Sequence, residues 1–92
     1  MTKQHLHETH PDILKRLKRA EGHLRSVTAM IEEGRACVDI AQQLHAVEKA
    51  IAQAKKTLIQ DHIDHCLEAA AMAPRRQQQS AIAEFKEITK YL

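Results

Sequence analysis

Three features of the sequence predict an all-α protein. Apolar residues recur at alternating three- and four-residue spacings along most of the chain, the period of a helix that buries one face. Its 92 residues include only 2 Gly and 2 Pro, too little punctuation for the many turns of a sheet. The only aromatics are Phe85 and Tyr91, so a core has to be built from Leu, Ile, Val and Ala, which suits closely packed helices. The length allows one domain, and a domain this small buries a modest share of its surface, which favours association with further copies.

Residues 1–10 are polar, with His5, His7 and His10 interspersed, and read as a flexible arm. A first helix is expected over about 11–33. Pro11 suits the first turn, where a missing N–H is no loss. Thr9 or His10 would cap it, and Asp12 complements the positive end of its dipole. Its stripe is Ile13, Leu17, Ala20, Leu24, Val27 and Ile31, and Gly34 ends it as a left-handed cap. A second helix is expected over about 37–72. Ile40, Leu44, Val47, Ile51, Ala54 and Leu58 give it a heptad-like seam, and such a seam seeks a partner helix. Pro74 stops it. Beyond the polar run Arg75 to Gln79, a third helix over about 78–91 carries Ile82, Phe85, Ile88 and Leu92 on one face. The middle helix is too long to be buried by its neighbours, so the expected assembly is an oligomeric helical bundle of three-helix protomers.

The net charge of +2 says little, but its distribution says more. Residues 1–56 carry ten Lys/Arg against seven Asp/Glu, and the excess concentrates in Lys15, Arg16, Lys18 and Arg19. A basic cluster on one helix fits an anionic partner such as nucleic acid, and also fits a solvated helix face. Two Cys without a signal peptide read as cytosolic thiols. No apolar run nears the roughly 20 residues that span a bilayer, and the first ten residues lack the character of a targeting segment. A cytoplasmic protein with no membrane partner is expected. Without a Gly-rich loop, strand framework or nucleophile elbow, an enzyme acting on a small-molecule substrate is disfavoured.

The seam also organises the candidate chemistry. Cys37 lies three residues before Ile40, His62 four after Leu58, and Cys66 four after His62. His62 and Cys66, one turn apart, project from one face and can grip a single ion. Cys37 stands 25 residues before His62, roughly 37 Å away at ~1.5 Å per helical residue, so it cannot join them within its own chain. An antiparallel dimer centred near Ala50 and Ile51 brings Cys37 of one copy to His62 and Cys66 of the other. The small residues Ala46, Ala50 and Ala54 would let the helices approach. Two thiolates and an imidazole suit Cu(I), or Zn(II), Ni(II) or Co(II) with a fourth ligand, and exclude Mg or Ca. The same residues also fit buried apolar cysteines and a satisfied seam histidine.

The segments Lys15-Arg16-Leu17-Lys18-Arg19-Ala20-Glu21-Gly22-His23, Gly34-Arg35-Ala36-Cys37, Gln42-Gln43-Leu44-His45-Ala46-Val47 and Asp61-His62-Ile63-Asp64-His65-Cys66 resemble the CsoR/RcnR family of metal-sensing repressors. The resemblance spans nearly the whole chain. It implies three-helix protomers, dimers with shared metal sites and a flat tetramer of two dimers. The metal-free tetramer would bind operator DNA and be released by its effector, with an efflux system as the regulated target. Cys37, His62 and Cys66 match the family's Cys-His-Cys set. The nickel/cobalt branch adds an N-terminal His, and His5 stands 32 residues before Cys37, the separation that branch shows. His7 and His10 are spare candidates. Copper sensors tend to carry a Tyr just before the first Cys and a Glu in the third helix near position 82, where this chain has Ala36 and Ile82. The formaldehyde-responsive branch relies on a proline after the initiator Met, where Thr2 stands here, and persulfide sensors lack the His that His62 supplies. The resemblance therefore favours Ni(II) or Co(II) over Cu(I). It also assigns Arg16 a DNA contact. Lys15, Lys18, Arg19 and Arg25 extend that surface, and Lys49, Lys55 and Lys56 continue it. Gln53 occupies a place where some members have Arg. No helix-turn-helix or zinc-finger signature is present, so recognition would rest on phosphates and DNA shape. His23 reads as structural, His45 as an interface or supporting residue, and His65 as outward-facing. A zinc-bound helical oligomer without DNA affinity is the non-regulatory alternative.

Overall fold

The computed structural model describes residues 9–72 and 74–92; the expected ligand His5 and its alternative His7 lie outside the described residues. Three helices follow in order: α1 (His10–Glu32), α2 (Cys37–Met72) and α3 (Arg75–Thr89). Pro11 lies in the first turn of α1, and the Ile13 N–H closes that turn on the Thr9 carbonyl at 2.9 Å. Gly34 ends α1 with φ 72°. Around it the Arg35 N–H bonds the Met30 carbonyl at 3.0 Å and the Gly34 N–H bonds the Ile31 carbonyl at 3.1 Å. These paired bonds satisfy carbonyls that the helix end leaves open, and they turn the chain directly into α2.

α3 begins at Arg75, earlier than apolar periodicity alone placed it. Pro74 is extended and caps it, with its carbonyl accepting from the Gln77 and Gln78 N–H groups. The run Arg75 to Gln79 lacks apolar residues but consists of good helix formers, and a first turn needs propensity more than a buried face.

The chain forms two compact units, Met1–Lys55 and Lys56–Leu92, and α2 contributes to both. In the first unit α1 and the opening turns of α2 pack as an antiparallel hairpin about the Gly34 turn. Ile13, Ala20 and Val27 on α1 are buried with Val47 and Ala54 on α2. The stripes anticipated from sequence thus divide into alternate rows. The second row, Leu17, Leu24 and Ile31 on α1 with Leu44 and Ile51 on α2, is exposed, Leu24 and Ile51 each by 44%. Ala54 is consumed inside the hairpin, while Ala46 and Ala50 line the side away from Leu44 and Ile51. The small residues therefore do not lie on the uncovered apolar row.

In the second unit α3 packs against the later turns of α2. Ile59 and Cys66 are buried, and Ala81, Phe85 and Ile88 form a half-buried row on α3. Ile82 and Leu92, expected on that row, are exposed at 49% and 72%.

Candidate metal centre and nucleic-acid face

His62 and Cys66 sit one turn apart on α2, and α3 folds back to bring Glu84 against both. The His62 Nε2 is 3.5 Å from a Glu84 carboxylate oxygen, and the Cys66 Sγ is 3.9 Å from the same oxygen. One donor atom from each residue lies within 4.8 Å of the other two. That span is close to twice the ~2.0–2.3 Å length of a zinc-class bond to N, O or S, so small side-chain rotations would close the three donors on one ion. The set of soft sulfur, borderline nitrogen and harder oxygen fits a borderline divalent metal better than Mg or Ca.

The three residues differ in environment. Cys66 is 5% exposed, His62 half-buried, and Glu84 open to solvent. Burial pushes the Cys66 thiol above its ordinary range, and the neighbouring Glu84 charge adds to that effect. A metal ligand must be deprotonated, so binding here would release the thiol proton. His65 lies outside the cluster. Its Nδ1 donates to the Asp61 carbonyl at 3.0 Å, and this bond raises its proton affinity, with the Asp61, Glu68 and Asp64 charges contributing against partial desolvation.

Cys37 is the first residue of α2 and is exposed; it is not among the donors gathered at His62 and Cys66. Sequence reasoning missed Glu84. The resemblance puts the copper sensors' third-helix Glu near position 82, and Ile82 there counts against Cu(I). Two residues further on, Glu84 meets the site because residues equidistant from the turn at Pro74 pair across an antiparallel hairpin. Counting outward from that proline would have found it.

The hairpin of the first unit has two unlike flanks. On one, Arg16, Arg19 and His23 of α1 face Lys49 and Gln53 of α2 across a floor of Ala20, Ala46 and Ala50. The Arg16 Nε also donates to Asp12 at 2.9 Å, an exposed pair one turn apart worth a few tenths of a kcal/mol by analogy with ~0.3–0.5 for such pairs. Of the residues expected to touch DNA, Arg16 and Arg19 share this groove. Lys18 instead borders the apolar flank with Leu14, Leu17 and Glu21. Lys15 is exposed on α1, and Lys55 and Lys56 are exposed on α2. His45 lies at the edge of the apolar flank, with its Nδ1 3.7 Å from Glu48. Among the described residues, no helix is long and apolar enough to cross a membrane.

Residues 9–91 match the family of metal-sensitive transcriptional repressors. The chain belongs to that family. Its members are regulators and not enzymes. Among relatives, a copper-sensing repressor CsoR of Bacillus subtilis is 40% identical over 82 residues, covering 85% of this chain and 79% of that protein. A copper-sensing CsoR of Mycobacterium ulcerans is 36% identical over 78 residues, covering 85% of this chain and 65% of that longer protein. The solved structure of the nickel-responsive regulator InrS superposes with a TM-score of 0.79 at 32% identity, covering 96% of this chain and 97% of that one. The copper-sensing repressor CsoR with Cu(I) from Geobacillus thermodenitrificans gives 0.75 at 30% identity, covering 97% and 88%. The family is thus settled while the copper and nickel branches both stand close to this repressor.

Proposed function

We propose that this repressor binds operator DNA when metal-free and is released on binding Ni(II) or Co(II), so that a metal-efflux system is expressed. Glu84 supplies a third-helix carboxylate of the kind copper sensors tend to carry, so that mark no longer separates the branches, and the choice of metal rests on its donor chemistry. An oxygen donor beside His62 and Cys66 suits a borderline divalent ion, whereas Cu(I) is served by sulfur and nitrogen alone. Cys37 of a second copy would complete the site, with His5 as a further ligand from the N-terminal segment. The uncovered row Leu17, Leu24, Leu44 and Ile51 supports that arrangement, because it is a continuous apolar face that a second hairpin would cover. Two such dimers would form the tetramer, working at DNA in the cytoplasm.

Operator contact is assigned to the groove of Arg16, Arg19 and Lys49, with Lys15, Lys18, Lys55 and Lys56 adding longer-range attraction. These side chains would hold phosphates and leave sequence discrimination to DNA shape. Release needs the metal-bound form to favour a conformation with weaker DNA affinity. Linkage then requires DNA to weaken metal binding by the same factor, ~5–150-fold for a typical coupling of ~1–3 kcal/mol. Drawing Cys37 of one protomer and His62 and Cys66 of another onto one ion would fix how two hairpins are spaced, and hence how two basic grooves meet the duplex.

A Cu(I) response through Cys37, His62 and Cys66 is the second reading, favoured by the copper-sensing relatives. The test is binding of the reduced apoprotein to duplexes selected from a random pool, titrated anaerobically with Ni(II), Co(II), Cu(I) and Zn(II). Release by nickel or cobalt at low equivalents supports the proposal, and release by Cu(I) alone moves the protein to the copper branch. A protein that binds no duplex when metal-free and whose zinc-loaded form unfolds on chelation would be a structural zinc oligomer and not a sensor.

A further inference from the structure

Sequence reasoning set His23 aside as structural, yet the structure places it in the basic groove. Its Nε2 lies 2.7 Å from the Gln43 amide oxygen, a bond that ties α1 to α2. With the oxygen facing it, Nε2 is the donor, so the remaining nitrogen, Nδ1, is where the ring can gain a second proton. The charged side chains lining the groove around it are Arg16 and Arg19 from α1 and Lys49 from α2, with Gln53 as a neutral neighbour. Among the described residues no carboxylate lines that groove, and Asp12 approaches it only through Arg16.

We infer that His23 is a DNA contact in this groove, held by Gln43 and effective as its cation. The inference rests on the operator reading of the same groove. Phosphates entering the groove favour a positive charge on the ring, so DNA binding and protonation of His23 favour each other by linkage. Imidazole is the side chain whose charge changes between pH 5 and 8, so it can act as a phosphate contact that is present at the acid end of that range and absent at the other. The bond to Gln43 fixes the ring's orientation in advance, so no side-chain ordering is deferred to binding.

The experiment measures the salt dependence of duplex binding by the full-length metal-free protein at pH 6 and pH 8. The proteins are wild type, His23→Gln and His23→Lys, with both selected and random-sequence duplexes as probes. Each phosphate neutralised adds ~0.9 to the slope of log affinity against log salt for B-DNA. The wild-type slope is expected to steepen at pH 6 by about that amount for each groove engaged. His23→Gln, compared with its own slope at pH 8, should show no steepening at pH 6. His23→Lys should show the steeper slope at both pH values. A wild-type slope equal at the two pH values, or a His23→Gln slope that still steepens, overturns the role of His23 while leaving the groove in place. Wild-type protein that binds no duplex at either pH overturns the groove reading, and this one with it.

Discussion

Replacing Glu84 with Gln separates the two metals that the site could serve. The substitution keeps the side chain's shape and removes its charge and its capacity as an anionic donor. Two consequences oppose each other. The donor set His62, Cys66 and Glu84 loses its carboxylate oxygen, 3.5 Å from the His62 ring nitrogen and 3.9 Å from the Cys66 sulfur. The Cys66 thiol, raised first by burial and then by the Glu84 charge, becomes easier to ionise. Loss of a group that supports a metal site lowers affinity ~10–100-fold, or ~1.4–2.7 kcal/mol. The Glu84 side chain is 67% exposed, and water can replace part of what it supplies, which places the expected loss near the lower end. For Ni(II) and Co(II), which use the oxygen, affinity should fall about tenfold. For Cu(I), which uses sulfur and nitrogen, the easier thiolate should leave affinity unchanged or raise it. Chelator competition on reduced protein under anaerobic conditions reads both. Nickel affinity unchanged, or nickel and Cu(I) affinities falling together, would refute the assignment of Glu84 as a donor that selects the metal.

Further outcomes follow from the packing and the thiols. Val27→Ala should destabilise the protein by about 2 kcal/mol in urea denaturation at fixed protein concentration, because Val27 is 2% exposed and loses roughly two methyl groups to a cavity. Leu24→Ala, on the row left uncovered, should act mainly on association, read by sedimentation. Gly34→Ala places a Cβ at φ 72° and should lower stability by about 1 kcal/mol, although nothing lies within 4 Å of the added carbon. In metal-free protein a thiol-specific reagent should modify exposed Cys37 well before Cys66, which is buried and disfavoured as thiolate. Equal rates would contradict the burial of Cys66.

Helix number, order and turns were legible in the sequence because period, Gly34 and Pro74 act locally. The apolar stripes were read correctly as apolar, but not as two rows with different fates. One row per helix is buried within the hairpin and the other is exposed, and only the pairing of Ile13, Ala20 and Val27 with Val47 and Ala54 reveals which is which. The same limit hid the two flanks. Arg16, Arg19 and Lys49 come together while Lys18 does not, a distinction of angle around α1 that a run of basic residues does not express. His62 and Cys66 were found because they share one turn of one helix. Glu84 belongs to another helix, and its place depends on the register set by the Pro74 turn. The start of α3 was misplaced for a related reason, since its first turn carries propensity without an apolar face.

A metal site divided between two protomers makes a specific demand on mixed oligomers. Cys37→Ala and Cys66→Ala each remove a ligand, so neither variant alone should release DNA on addition of nickel. In a mixed pair, Cys37 from the Cys66→Ala chain meets His62 and Cys66 of the Cys37→Ala chain and restores one complete site. Tagged mixed oligomers, purified and titrated with nickel on a bound duplex, should regain metal-dependent release. If they remain as unresponsive as the parent variants, Cys37 does not complete its partner's site and the shared-site account is wrong.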